Sequence, residues 1–166
     1  MNAQMDDWGD LADRFLKACQ RRKILVATAE SCTGGMIISL LTDIPGSSSM
    51  VDRGFVTYSN EAKTDMVGVS EETLEKHGAV SAETAYEMAE GALKNSRAGI
   101  TLAVTGIAGP DGGSPEKPVG LVWFGMARFG KPVVTEKRIF QNLGRDYIRK
   151  QTTKHALEMG LLALSD

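Results

Sequence analysis

Apolar positions along the chain fall into two spacings, and the change from one to the other marks the elements. Leu11, Phe15, Leu16, Ala18 and Cys19 recur at helical intervals, so residues ~6–22 predict an amphipathic helix laid over a sheet. Lys23 to Thr28 then reads as a buried strand, and the apolar segment Thr33 to Thr42 predicts a helix stopped by Ile44-Pro45-Gly46. The serines from Ser47 to Ser49 form a loop, and Asp52 to Ser59 has strand composition. Asn60 can cap a short helix through Val67, and Ser70 to His77 and Ser81 to Asn95 predict two more, with Gly78 as the stop between them. The second of these buries Ala85, Met88, Ala89 and Leu93. Gly99 to Thr105 is an apolar strand running into the glycine- and proline-rich loop GIAGPDGGSPEKP. Val119 to Arg128 and Pro132 to Phe140 pair as a hairpin around Phe129-Gly130-Lys131. A last helix from Arg145 to Leu164 places Ile148, Thr152, His155, Met159 and Leu162 on one face.

This order predicts an α/β fold: a single three-layer α/β/α domain with a mixed sheet, spanning residues 1–166. The charge balance, 19 basic against 21 acidic residues spread along the chain, leaves no footprint for nucleic acid. The acidic, amphipathic N-terminus does not read as a signal peptide, and no run approaches the ~20 apolar residues of a membrane span. Two cysteines, Cys19 and Cys32, are too few for a disulfide framework and lack zinc-site spacing, so a cytoplasmic setting is expected.

The stretch TAESCTGG, Thr28 to Gly35, carries the first candidate chemistry. A strand ending at Thr28 and a helix entered at about Thr33 put Ser31 at a helix N-terminus, where free N–H groups favour negative charge. Ser31 then either caps the helix or attacks a substrate, with Cys32 as the rival nucleophile. Gly34 and Gly35 leave room for another backbone or a ligand. Neither His77 nor His155 has a neighbouring Asp or Asn that suggests a triad, and both read as structural. Lys63, five residues beyond Tyr58, is the better base. It can act only when neutral, which requires burial or a nearby cation such as Arg145, and its alternative is a solvated helix lysine. The loop TGIAGPDGG offers N–H groups and a hydroxyl to an anion, but is neither a Walker A nor a dinucleotide fingerprint.

Six motifs in register, TAESCTGG, DIPGSSS, YSNEAK, HGAVS, AVTGIAGPDGG and SPEKPVG, closely resemble the CinA C-terminal domain family, the nicotinamide-nucleotide amidohydrolases. The resemblance runs from about Leu25 to the last helix. It implies hydrolysis of the carboxamide of nicotinamide mononucleotide to nicotinate mononucleotide and ammonia, by serine and lysine and without metal or cofactor. Ser31 matches the nucleophile and Lys63 the base, with Tyr58 their partner in proton handling or oxyanion support. Thr33, Gly34, Gly35, Ser48, Thr105, Gly106, Gly109 and Arg145 match the substrate-binding segments, Arg145 serving the phosphate or tuning the lysine. The small nucleotide substrate is the partner implied, together with a homo-oligomer. Longer members carry an N-terminal domain resembling molybdopterin-binding proteins; nothing here corresponds to it, and its activities are not expected. Two further readings stand beside this one: a non-catalytic nucleotide-binding or regulatory module, and an amidohydrolase of another small amide.

Overall fold

The computed structural model describes residues 3–165. Its sheet runs in the order β2-β1-β3-β4-β5, from β1 (Val26–Glu30), β2 (Val51–Val56), β3 (Ile100–Gly106), β4 (Leu121–Arg128) and β5 (Val134–Ile139). The first three strands are mutually parallel, and β4 and β5 continue antiparallel, so the sheet is mixed. Helices α1 (Ala3–Arg22), α2 (Met36–Thr42) and α6 (Arg145–Ala163) cover one face. On the other face α5 (Ala82–Lys94) lies on the sheet, flanked by α3 (Asn60–Val67) and α4 (Glu71–His77). The expected three-layer α/β architecture is therefore present.

Strand alternation divides the core in two. Val26, Ile100, Leu102 and Val104 pack with Phe15, Leu16, Ile148 and Leu157 beneath α1 and α6. Ala29, Ala103 and Ala127 face Met88, Ala89 and Ala92 of α5. Because the three parallel strands end together, the segments following Glu30, Val56 and Gly106 converge at one sheet edge, the usual place for a ligand in such a sheet. The spacing of α3 from α5 depends on Gly91, where a Cβ would lie 1.7 Å from the Val67 carbonyl oxygen.

Several boundaries differ from the sequence expectation for physical reasons. β1 begins at Val26 and runs through Glu30, because Lys23 closes α1 in the left-handed region and the polar end of the strand is satisfied internally. α2 begins at Met36 rather than Thr33, since Gly34 and Gly35 adopt φ of 59° and 104°. The serines Ser47–Ser49 form a single 3₁₀ turn. Ser59, not Asn60, caps α3, its hydroxyl accepting from the Ala62 N–H at 3.0 Å. Leu162 is 75% exposed and does not join the buried face of α6 made by Ile148, Thr152 and Met159.

Candidate active site

Ser31 continues β1 by one residue, its N–H donating to the Val104 carbonyl at 3.1 Å. The chain then turns through Cys32, Thr33, Gly34 and Gly35 before α2 begins. Lys63 reaches Ser31 from α3. Its Nζ lies 3.1 Å from Ser31 Oγ and 2.9 Å from the Thr57 carbonyl, and the whole side chain is only 1% exposed. Both partners are uncharged, so burial pushes the ammonium below the ordinary lysine range. Cys32 would oppose that shift only as a thiolate, and its own burial pushes the thiol up to about 12. The lysine is thus biased towards the neutral, proton-accepting form by desolvation rather than by Arg145.

These groups open into a pocket of about 300 Å³ lined by Ser31, Cys32, Tyr58, Asn60, Lys63, Ala79, Val80, Thr105, Gly106, Ala108 and Arg145. Its size falls at the lower end for small-molecule sites. Thr105 donates its hydroxyl to Ala79 O at 2.7 Å, tying one wall of the pocket to the end of β3. Arg145, the first residue of α6, donates to Gly109 O at 2.8 Å and to the Tyr58 hydroxyl at 3.2 Å. Gly109 therefore shapes the site through its carbonyl rather than by lining it. Tyr58 is 62% exposed, its hydroxyl directed at Arg145 on the rim. A larger apolar groove of about 630 Å³ lies elsewhere, between α1, α2 and α6, and includes none of these residues.

Besides Gly109, four of the sequence candidates do not line the pocket. Thr33 is fully buried, its hydroxyl donated to Glu30 at 2.7 Å. Gly34 and Gly35 form the backbone of the turn; a Cβ on Gly35 would meet Val56, not open space. Ser48 is exposed in the 3₁₀ turn before β2, at the opposite edge of the sheet from Ser31. His77 and His155 pair with Glu83 and with Glu136 and Glu158, respectively, away from the serine.

Glu30 and Arg149 shape the turn and were not singled out by sequence reasoning. Glu30 is fully buried, and its carboxylate accepts from Ile37 N–H (2.8 Å), Ile38 N–H (3.0 Å), Thr33 Oγ1 (2.7 Å) and Thr28 Oγ1 (3.1 Å). The first free amides of α2 are thereby spent on a carboxylate of the preceding strand. This corrects the expectation of a helix N-terminus aimed at Ser31. The acidic residue just before the serine, with threonines on either side of it, was the available signal. Arg149 grips the turn's carbonyls from α6, donating to Cys32 O and Thr33 O at 3.0 Å each.

Comparison with known proteins identifies the family of the chain. The family model "CinA C-terminal domain" matches residues 9–164. "Nicotinamide-nucleotide amidohydrolase PncC" of Escherichia coli strain K12 is 52% identical over 148 residues, 89% of each chain. The protein of that name from Enterobacter agglomerans is 53% identical over 136 residues, 82% of each chain. Among solved structures, "competence/damage inducible protein CihA" from Agrobacterium tumefaciens superposes with a TM-score of 0.93 at 52% identity, covering 96% of both chains. Family match, relatives and fold together place this chain in the CinA C-terminal domain family.

Proposed function

We propose that this protein is a nicotinamide-nucleotide amidohydrolase that converts nicotinamide mononucleotide to nicotinate mononucleotide and ammonia, with Ser31 as nucleophile and Lys63 as base. The observation that carries this reading is the buried Lys63 Nζ at 3.1 Å from Ser31 Oγ, both opening into one pocket. Relatives bearing the amidohydrolase name at 52% identity support the substrate class.

Neutral Lys63 takes the Ser31 hydroxyl proton as Oγ bonds to the carboxamide carbon. The oxyanion so formed needs backbone donors. Ser31 N–H is spent on Val104 and Gly34 N–H on Ser31 O, whereas no oxygen of the described residues takes the Cys32 or Thr33 N–H. Collapse breaks the C–N bond, and the proton held by Lys63 passes to the departing nitrogen, which leaves as ammonia. Water then adds to the nicotinoyl ester, giving its proton to Lys63, and the break of the ester bond returns that proton to Ser31. Arg145 on the rim, oriented by Tyr58 and Gly109, takes the phosphate; its planar fork suits that oxyanion.

Ammonia release from nicotinamide mononucleotide tests the reading. Wild type should release it, and Ser31→Ala and Lys63→Ala should lose at least ~10³-fold in kcat. Binding of the nucleotide by folded wild type with no ammonia released would make the protein a binding module instead. An active Ser31→Ala beside a dead Cys32→Ala would overturn the serine mechanism. Nicotinamide riboside, which lacks the phosphate, should show a raised KM.

A further inference from the structure

The carbonyls of Cys32 and Thr33, the two residues that follow Ser31, are held from outside the turn by one side chain. Arg149, in the second turn of α6, donates from Nε to Cys32 O and from Nη2 to Thr33 O, each at 3.0 Å. Ser31 O accepts from Gly34 N–H at 3.0 Å, and Thr33 O also accepts from Met36 N–H at 3.1 Å. Every carbonyl from Ser31 to Thr33 is therefore committed. A peptide is planar, so fixing its carbonyl also fixes the direction of its N–H. The Gly34 bond on Ser31 O orients the Cys32 N–H, and the Arg149 bond on Cys32 O orients the Thr33 N–H. A guanidinium on these carbonyls also polarises the peptides, which strengthens their N–H groups as donors.

We propose that Arg149 is a positioning residue for amide hydrolysis: it fixes the Cys32–Thr33 peptide directly and, through the Thr33–Gly34 peptide whose N–H holds Ser31 O, the Ser31–Cys32 peptide, so that the Thr33 and Cys32 N–H groups receive the oxyanion formed when Ser31 adds to the carboxamide. The proposal rests on the amidohydrolase reading above. Arg149 is not among the pocket-lining residues, and its two recorded bonds both go to these carbonyls, so it acts through the turn and not on substrate. It differs in this from Arg145, which stands on the rim. Lysine can replace it only in part, because a single ammonium lacks the fork that bridges two successive carbonyls.

The test measures ammonia release from nicotinamide mononucleotide by Arg149→Ala and Arg149→Lys across pH, with circular dichroism to verify the fold. Labelling of Ser31 by a fluorophosphonate probe serves as a readout that needs no substrate. Arg149→Ala should lose on the order of 10²-fold in kcat while KM changes less than about threefold, because the interaction matters only once the oxyanion exists. The pH midpoint set by Lys63 should stay in place, and millimolar guanidinium should restore part of the lost rate. Arg149→Lys should fall between alanine and wild type. The proposal is overturned by a wild-type kcat in folded Arg149→Ala, by a loss confined to KM, or by a displaced pH midpoint without guanidinium rescue. Should Arg149→Ala fail to fold, Arg149→Lys decides, and a wild-type kcat in that variant overturns the proposal. A wild type that releases no ammonia at all defeats the substrate assignment instead. In that case the labelling rate of Ser31 still decides Arg149, with a loss of about tenfold or more in the variant supporting it and an unchanged rate overturning it.

Discussion

Gly91 sets how closely α3 approaches α5, and so where Lys63 stands. A Cβ on Gly91 would lie 1.7 Å from the Val67 carbonyl oxygen. An ordinary carbon–oxygen contact is ~3.3 Å, so Gly91→Ala must push the last turn of α3 outward by about 1.5 Å. Lys63 sits one turn earlier in the same short helix. Carrying its Nζ, now 3.1 Å from Ser31 Oγ, outward by even ~1 Å ends the hydrogen bond. The overpacking costs about 1–3 kcal/mol, of which about 1 kcal/mol is offset by alanine's better helix propensity. The variant should therefore remain folded, since domains of this kind have about 5–15 kcal/mol in reserve. Misplacing a catalytic group by ~1 Å, in contrast, removes on the order of 10²-fold in rate. The control is Gly99→Ala, where a Cβ would lie 2.8 Å from the Ile24 side chain at the start of β3, far from the serine. Urea titration and ammonia release on both variants give the comparison: similar stability losses, a kcat loss of about 10²-fold for Gly91→Ala, and a loss below about threefold for Gly99→Ala. Equal rates at comparable stability would refute the reasoning.

Lys63→Met should abolish ammonia release yet raise stability near neutral pH by about 1–2 kcal/mol in urea titration, because the folded state no longer desolvates an ammonium. Burial lowers the folded-state pKa below 10.5, so within that window the unfolded chain binds the extra proton and wild-type stability rises with pH. The advantage of the methionine variant should accordingly shrink as pH climbs towards 10.5. Cys32→Ala should keep kcat within about threefold of wild type, since the buried thiol packs as a small apolar group. Glu30→Gln sets an amide nitrogen against two of the carboxylate's four donors, a threonine hydroxyl that can turn to accept and a backbone N–H that cannot; it should cost about 3 kcal/mol by thermal or urea denaturation.

The layers were legible because periodicity and burial agree. Leu11, Phe15 and Leu16 on α1, and Ala85, Met88 and Ala89 on α5, are fully or almost fully buried, as their spacing required. Ser31, Tyr58, Lys63, Thr105, Gly106 and Arg145 were nominated from four separate segments, and the structure gathers them around one pocket. Ser48 and the side chain of Thr33 were not separable from these by motif alone, because a motif does not say at which end of a strand its residues fall. Thr33 turns inward because Glu30 on the same face of the turn needs a donor. The start of α2 was misplaced because an apolar run does not reveal that two glycines before it take left-handed backbone.

Arg149 was illegible for a related reason, since it acts through backbone carbonyls that carry no side-chain signature, and Glu30 was signalled only by the threonines around it. On the proposed mechanism, the arrangement of Glu30 and Arg149 accounts for how Ser31 can act from a turn without a helix dipole behind it. The carboxylate holds the amide end of α2 and the guanidinium holds the carbonyl side of the Ser31 turn, so opposite charges anchor the segment at both ends. Between these anchors the Cys32 and Thr33 N–H groups are left without an oxygen partner among the described residues. Polar backbone groups near a core ordinarily meet an oxygen, and two that meet none among the described residues beside a buried serine are tolerable only where surrounding bonds fix the chain. On this reasoning the turn is held in readiness for negative charge before any substrate arrives, which is the condition under which backbone donors stabilise an oxyanion without reorganising.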